Sequence, residues 1–548
     1  MEADDSATLR ADAFVRRHGA LLLALCAGLL TIPLWSQPLI GHSQALNLVW
    51  HEGFVDAMRR GTVYPRWLET TNQGLGSPAF YFYAPLPFWV SSLVDLSMRG
   101  RVSIAACVSV GVGLAIWCSG LTMFRLLRAF FAPTSALIAA VVYMAMPYHL
   151  GIDVWWRAAV AEVWGFVWPP LMLHGFLRLW HRERWGWTAV AAATIGLTFS
   201  HLPSFLMTLC GAGTLMLVVL VLRQDARRVA RVAAQASAAV GVACAITAGY
   251  WLPALATLDL TDISGFMTSG QYNYARNFIA FHRPWSLDKS VEGVGLVMLA
   301  SLGPLYILSN RLFLKRPWTF TAAFWFGLCM LLLVSEASRP LWQLVTPLQR
   351  IQFPWRFLLL VDLALVVMLV HSLDAPRVAR YRRAIVWLLP VVSLAIGAAW
   401  ALAIPPNYPP AVQRIIAESA LTHADAAEYR TRWTSAKFYR DLRSGSQIVP
   451  GSDATDQVLT SEDGSTTLLH RRFFYPDLRA VDAASGAPLR LRPQPVTGLT
   501  LVEMPSRDIT VRYQRVMLPA ERFGWLVALA GVLVASIAVG WERRRVVS

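Results

Sequence analysis

Apolar runs of about 18 residues, nearly free of charge, recur from one end of this 548-residue chain to the other. That is the length an α-helix needs to cross a bilayer. In hydrocarbon, every backbone N–H and C=O must be satisfied within its own segment, so such runs leave little choice but a bundle of spanning helices. The runs fall at 20–36, 103–124, 133–147, 163–180, 187–202, 205–222, 232–256, 293–309, 319–335, 354–372, 385–403 and 523–540. Composition agrees. The chain is 56% hydrophobic and only 15% charged, with a mean hydropathy of +0.46, where soluble domains hold about 25% charged residues.

The net charge of +16 does not point to nucleic acid, because the basic residues sit in short loops between spans and follow no stripe or binding motif. Arg125/Arg128, Arg178/Arg182/Arg184, Arg223/Arg227/Arg228/Arg231, Arg311/Lys315/Arg316, Arg377/Arg380/Arg382/Arg383 and Arg543/Arg544/Arg545 fall in alternate loops. The positive-inside rule therefore puts those loops and both termini in the cytoplasm, with twelve crossings. Arg10, Arg16 and Arg17 precede the first run, and Pro33, Leu34, Trp35 and Gln37 make a poor cleavage site, so a retained signal anchor is expected. Cys26, Cys107, Cys118, Cys210, Cys244 and Cys329 all lie inside apolar runs. That excludes a disulfide framework, makes a metal cluster unexpected, and reads as core packing.

Three segments fall on the outer side: 37–102, 147–162 and 404–521. This divides the chain into a transmembrane module (1–403), an extracytoplasmic domain (404–521), and a final span with its tail (522–548). Tyr83 to Met98 is apolar but short, and suits an interfacial helix. In the third segment, residues 410–445 read as helical. Beyond them, alternating runs such as Arg471–Tyr475, Leu499–Val502 and Ile509–Tyr513, separated by Asp463-Gly464, Ser485-Gly486 and Thr497-Gly498, predict a small β-sandwich. The fold class expected is thus a membrane all-α bundle of about twelve helices with a small α+β or β-sandwich domain before the last span.

The outer segments carry the residues with chemistry. Val49, Phe54, Val55 and Met58 give 44–60 one apolar face, predicting an amphipathic helix lying on the membrane, with Glu52, Asp56, Arg59 and Arg60 opposite. Its carboxylates either act on substrate or simply form a solvated face. Arg66, in Tyr64-Pro65-Arg66-Trp67, offers a bidentate fork for phosphate, and Trp67 a ring for sugar, lipid or the interfacial aromatic belt. Asp153 and Arg157 are one helical turn apart and suited to pair, while Glu162 stands at the threshold of a span, where a charge is costly and often functional. His201 reads as a cap at a hairpin. Gln352 leads into Phe353-Pro354-Trp355-Arg356, which places Arg356 where it needs an anion, either a headgroup phosphate or a carboxylate such as Glu162. No phosphate-cradling glycine loop, metal-ligand spacing or nucleophile elbow is present in the sequence.

The succession Tyr64-Pro65-Arg66-Trp67, Gly74-Leu75-Gly76-Ser77-Pro78, Phe82-Tyr83-Ala84-Pro85-Leu86-Pro87, Pro147-Tyr148 with Arg157 and Glu162, Ser200-His201-Leu202 and Gln352–Phe357 resembles a bacterial family labelled 6-pyruvoyl-tetrahydropterin synthase-related. That family in turn looks like part of the GT-C superfamily of membrane glycosyltransferases. The resemblance implies a GT-C-like fold in the bacterial inner membrane and transfer of a sugar from a polyprenyl-phosphate donor on the extracytoplasmic face. The acceptor would be an envelope lipid, polysaccharide or protein. Glu52, Asp56, Asp153 and Glu162 are the candidate catalytic acids, and Arg66, Trp67, Arg157, His201, Gln352 and Arg356 the candidate substrate-binding residues. No cofactor is assigned; a divalent cation is kept as an option. The chain departs from the family where an Asp followed four residues later by a His is usual, since Ser43 and Asn47 stand there. Either the base has moved or catalysis is lost, so a non-catalytic binder or scaffold for lipid-linked glycans is the alternative. A transporter is the weaker one, as Asp362 is the main charge expected at mid-membrane.

Overall fold

A computed structural model describes residues 2–36, 39, 41–268, 270–279, 289–312, 317–403, 425–444, 457–460, 466–506 and 509–544. The helices used below are, in chain order, α1 (Glu2–Leu30), α2 (Gln44–Arg59), α3 (Leu86–Ser97), α4 (Ile104–Leu127), α5 (Pro133–Ala145), α6 (Val160–Gly165), α7 (Trp168–His181), α8 (Gly186–Ser200), α9 (Leu202–Arg223), α10 (Ala226–Ile246) and α11 (Ala248–Ala256). They continue with α12 (Lys289–Leu312), α13 (Trp318–Val334), α14 (Leu358–Leu373), α15 (Pro376–Ala403), α16 (Ala436–Ser444) and α17 (Pro519–Arg544).

Every apolar run lies on a helix, but the boundaries and lengths differ from expectation. Eight segments of the described residues are long and apolar enough to cross a membrane: Leu9–Leu30, Ile104–Leu127, Pro133–Trp156, Leu202–Arg223, Ala226–Ile246, Pro354–Asp374, Tyr381–Ala403 and Pro519–Arg543. The runs at 293–309 and 319–335 form shorter apolar helices, α8 has 15 residues, and the run at 163–180 breaks between α6 and α7. Local chemistry sets several of these ends. The Ser103 hydroxyl accepts from the Ala106 amide at 3.3 Å and starts α4, Pro133 occupies the first turn of α5, and Asp225 caps α10 through the Arg228 amide at 3.0 Å. The basic loops gather at one end of the bundle. Arg184 donates to the Arg543 carbonyl, and the Glu542 carboxylate accepts from the Trp187 amide and the Thr188 hydroxyl.

Helix α2 forms where the periodicity placed it, but it does not lie on a surface. Gln44, Asn47, Trp50, His51, Gly53 and Ala57 are buried along with Val49, Phe54 and Val55, because α3 and α4 pack against it and its small and polar residues have partners there. Helix α3 has only 12 residues, too few to cross.

In the third outer segment, residues 404–424 lie outside the described residues. The rest of the stretch read as helical holds only a short turn, Ala427–Tyr429, and α16. The strands that follow are β1 (Gln457–Thr460), β2 (Thr466–Phe473), β3 (Leu478–Asp482), β4 (Pro488–Leu489), β5 (Leu491–Pro493), β6 (Leu499–Met504) and β7 (Val511–Arg515). They form two antiparallel sheets, β1-β2-β6-β5 and β4-β3-β7. Leu468, Ala480, Val502 and Met504 pack together across both sheets; the run Leu499–Val502, however, is buried at all four positions and does not alternate, because it also packs against the cluster around Trp67 and Tyr475.

A second cluster fastens this region to the first outer segment. Trp67, Leu75 and Tyr81 pack with Phe438, Tyr439, Phe473, Tyr475 and Leu499. Gly76 permits it: its backbone sits at φ +88° with the Trp67 indole so close that a Cβ would come within 2.4 Å of the ring nitrogen.

Candidate functional site

Between α5 and α6 the chain runs through a ten-residue π-helix, Pro147–Trp156. Such wide turns are uncommon and recur at functional sites. Here the π-helix carries Asp153 and leads directly to Arg157. Ala158 follows in the left-handed region at φ 51°, a conformation that a non-glycine residue keeps only under constraint from its surroundings. On the other side of the site, Gln352 is also left-handed, at φ 66°, and turns the chain into the tight helical segment Pro354–Phe357 that presents Arg356.

These segments bring four of the sequence-selected residues together. Arg157 Nη1 donates to Asp153 and, at 2.7 Å, to Glu162 Oε2. Arg356 Nε lies 3.1 Å from the same Glu162 oxygen, and Arg356 Nη1 donates to the Ile351 carbonyl at 2.8 Å. The Tyr148 hydroxyl donates to Glu162 Oε1 at 2.8 Å. Trp355 supports the Arg157 guanidinium 4.7 Å from its ring centre, and Phe353 does the same for Arg356 at 4.8 Å. Asp153 and Glu162 are essentially inaccessible, whereas Arg157 keeps 15% of its side chain exposed. Burial by itself would raise the Glu162 pKa, but the fields of Arg157 and Arg356 outweigh it and hold the carboxyl below its usual range.

Two guanidinium groups thus share one carboxylate oxygen. Among the described residues, Arg157 makes hydrogen bonds only through Nη1, so its Nε and Nη2 remain available, as does Arg356 Nη2. A cationic pair of forks with unspent N–H groups suits a phosphate oxyanion.

The start of the first outer segment docks on this cluster. The Ser43 amide donates to the Arg157 carbonyl at 2.9 Å, and the Asn47 side chain to the Ala158 carbonyl at 2.7 Å. Gly41 makes the approach possible, since a Cβ there would lie 2.6 Å from the Ala158 nitrogen. Ser43 and Asn47 therefore abut the Arg157–Ala158 backbone, the first through its main chain and the second through its side chain. His201, at the start of α9, pairs through Nδ1 with the Ser204 hydroxyl at 2.8 Å. It packs beside Gly165 of α6, one turn from Glu162.

Other selected residues go elsewhere. Asp56 forms an i,i+4 pair with Arg60 on the surface of α2, and Glu52 is half-buried on the same helix. Arg66 is buried. Its Nη2 donates to the Gly249 carbonyl at 2.5 Å, its Nε lies 3.3 Å from Glu521, and its guanidinium stands 4.2 Å from the Tyr64 ring centre. Trp67 lies under Arg515, 3.9 Å away. Among the described residues, neither makes a hydrogen bond, ion pair or ring contact with the Glu162 cluster. Asp362 is fully buried on α14, beside the backbone of His149.

Sequence reasoning missed two carboxylates at residues 425–428. Asp425 is fully buried and accepts from Trp50 Nε1 at 2.7 Å and from the Ser77 hydroxyl; burial pushes its pKa up. Glu428 is only partly covered, and its pKa is pushed up to about 7 by burial, opposed by its own backbone amide, with Asp425 adding to the rise and Arg443 opposing it. Tyr83 feels the fields of both Glu428 and the arginines. Its phenol is pushed up to about 12, chiefly by burial, with Arg356 and Arg157 acting against the rise and Glu162 and Glu428 adding to it. Trp50 and Tyr83, with ring centres 4.4 Å apart, form an aromatic floor with Tyr429. Nothing in the sequence marks Glu428 except its place in an outer segment.

An apolar groove of about 120 Å³ runs between α7, α9, α13 and α14, lined by Pro169, Phe176, Gly211, Phe326, Leu360 and Leu363 among others. Leu360 follows Arg356 by four residues at the start of α14, and Pro169 stands in the first turn of α7, just past the break that follows Glu162's helix.

Residues 80–404 match the family described as 6-pyruvoyl-tetrahydropterin synthase related domain, membrane protein. Among solved structures, the chain is similar to the arabinofuranosyltransferase AftD from Mycobacteria. There the identity is 16%, the match covers 71% of this chain and 27% of that one, and the TM-score is 0.42. It is also similar to the Archaeoglobus fulgidus oligosaccharyltransferase solved with zinc and sulfate, at 13% identity over 81% of this chain and 59% of that one, with a TM-score of 0.42. The chain spans less than two thirds of either structure. No curated protein matches its sequence.

Proposed function

The chain belongs to the 6-pyruvoyl-tetrahydropterin synthase-related family of membrane proteins, and from that premise we propose that it is a GT-C-type glycosyltransferase. In this reading it takes a sugar from a polyprenyl-phosphate donor at the extracytoplasmic face of the bacterial inner membrane. The acceptor is an envelope lipid, polysaccharide or protein. Twelve crossings with both termini cytoplasmic fit the gathering of arginines at the end of the bundle away from the site.

The observation that carries the reading is the pair Arg157 and Arg356, converging on one oxygen of Glu162 with unused N–H groups. The donor phosphate takes those N–H groups, and the apolar groove beside α14 receives the start of the polyprenyl chain. Asp153 and Glu162 orient the arginines. The base must be a carboxylate not already held by a cation, and Glu428, with its pKa near neutrality, is suited to it. The acceptor hydroxyl gives its proton to Glu428 as its oxygen bonds to the anomeric carbon. The bond from that carbon to phosphate breaks, and polyprenyl phosphate leaves with the electron pair, its charge stabilised by the two arginines.

A second reading has its own support. The Asn47 side chain is spent on the Ala158 carbonyl, Ser43 carries no carboxylate, and Asp153 and Glu162 are both engaged by arginine; this favours a protein that binds lipid-linked glycans without turning them over. One substitution tests the binding step common to both. Arg356→Lys replaces a fork with a point charge, so the variant should fold normally yet bind a polyprenyl monophosphate in detergent micelles about tenfold more weakly or worse. Near-normal binding refutes the phosphate site. Release of labelled sugar from a bound donor by the wild type separates transferase from binder.

A further inference from the structure

Three helices meet at a second cluster that shares no side chain with the site above. His51 of α2, Asp95 of α3 and Cys107 of α4 are all buried, and each offers one ligand atom within 4.8 Å of the other two. The histidine is oriented for ligation. Ser91 Oγ lies 2.8 Å from His51 Nδ1 and 3.3 Å from the Phe88 carbonyl. When the serine gives its proton to that carbonyl, its oxygen accepts from Nδ1–H and the lone pair falls on Nε2. That Nε2 is buried and has no hydrogen-bond partner among the described residues. A buried acceptor left unpaired is unfavourable unless something occupies it, and a neighbour that fixes the tautomer through the other ring nitrogen is the usual support of a metal-bound histidine.

We infer that His51, Asp95 and Cys107 bind a divalent cation of the zinc class, with water in the fourth position. The donor set of imidazole nitrogen, carboxylate oxygen and thiolate is the one zinc takes. A carboxylate has two oxygens, so Asp95 can keep Oδ1 on Arg59 and bind through Oδ2. Metal–ligand bonds of about 2.0–2.3 Å put neighbouring ligand atoms roughly 3.3–3.8 Å apart, so the side chains close by about 1 Å on binding. The cation would tie α2, which carries Asn47 and touches the Arg157–Ala158 backbone, to the membrane helix α4. No short sequence spacing announces such a site, because each ligand comes from a different helix.

The test uses the full chain purified in detergent, stripped with a chelator, loaded with zinc alone and desalted. The expected result is about one zinc per chain in the wild type and in a Cys329→Ala control, with affinity lowered about tenfold or more in Cys107→Ala. Loading with Co²⁺ reads the sulfur ligand directly, since the thiolate-to-cobalt charge-transfer band should be present in wild type and absent in Cys107→Ala. His51→Gln provides a second variant if Cys107→Ala fails to fold. Zinc uptake far below one per chain in the wild type, or uptake and cobalt spectra unchanged by both substitutions, overturns the proposal.

Discussion

Arg515 and Arg157 are built into the molecule in much the same way. Each lies against a tryptophan, Trp67 at 3.9 Å and Trp355 at 4.7 Å, and each reaches two carboxylates. The difference lies in which nitrogens are used. Arg515 gives Nε to Glu69 at 2.8 Å and Nη1 to Asp477 at 2.6 Å, and its remaining Nη2 is buried. Arg157 spends Nη1 on both of its carboxylates and shares one of those oxygens with Arg356. The first arrangement ties β7 and the residue before β3 to the first outer segment and spends two of the three guanidinium nitrogens. The second spends one nitrogen and leaves two for an incoming anion. The use of the donors, more than the residue types, separates a clamp from a receptor.

The largest way to break that comparison is Glu162→Ala. It leaves two buried guanidinium groups without their shared anion, which costs about 3–5 kcal/mol. The thermal midpoint in detergent should fall steeply, and binding of a polyprenyl phosphate should be lost from whatever fraction folds. A loss under about 1 kcal/mol would mean the cluster behaves as an exposed pair. Next comes Asp477→Ala, which removes one of the two charged hydrogen bonds of Arg515 at a cost of about 1.5–3 kcal/mol. Affinity for the phosphate per folded molecule should stay within about twofold, since no contact of Arg515 reaches the site. If Asp477→Ala weakens binding as much as Arg356→Lys, the clamp and the receptor are not separate.

The two clusters also differ in how far the sequence revealed them. Asp153, Arg157 and Glu162 fall within ten residues, so helical spacing and the cost of a charge at a span entrance were enough to select them, and the anion needed by Arg356 was found at Glu162. Arg66 was assigned to phosphate for its bidentate fork, but its partners come from Gly249 and Glu521. The Tyr81–Glu521 bond beside it joins residues 440 apart. Local spacing carries no information about such a partner. Periodicity likewise located α2 but placed it on a membrane surface, because an apolar face looks the same whether it meets lipid or other helices. Asp425 and Glu428 sit in a polar stretch without period or motif. Only burial, which the sequence does not display, distinguishes them from the solvated carboxylates around them.

The smallest effect on stability is the one that sharpens the contrast most, because among the described residues no arginine forms an ion pair with the carboxylate concerned. Burial raises Glu428 to about 7, whereas in the unfolded chain a glutamate titrates near about 4.3. Between those two values the folded protein binds the extra proton, so this group's contribution to stability falls as pH rises through that window and levels off above about 7. Glu428→Gln lacks the ionisation, so the stability difference between variant and wild type should shift in favour of the variant from pH 5 to 7 and change little from pH 7 to 8. Transfer should show the complementary trend. A base with this pKa is about fivefold more ionised at pH 7 than at pH 6 and less than about twofold more at pH 8, and the rate should follow. Glu428→Gln should lose that limb together with about 10²–10⁴ of the rate, while keeping donor affinity because it leaves both arginines in place. A stability difference that stays flat from pH 5 to 8 removes Glu428 as a titrating group near neutrality. If transfer in Glu428→Gln keeps the wild-type pH limb, the proton leaves by another route, and a carboxylate already paired with arginine has to act as the base.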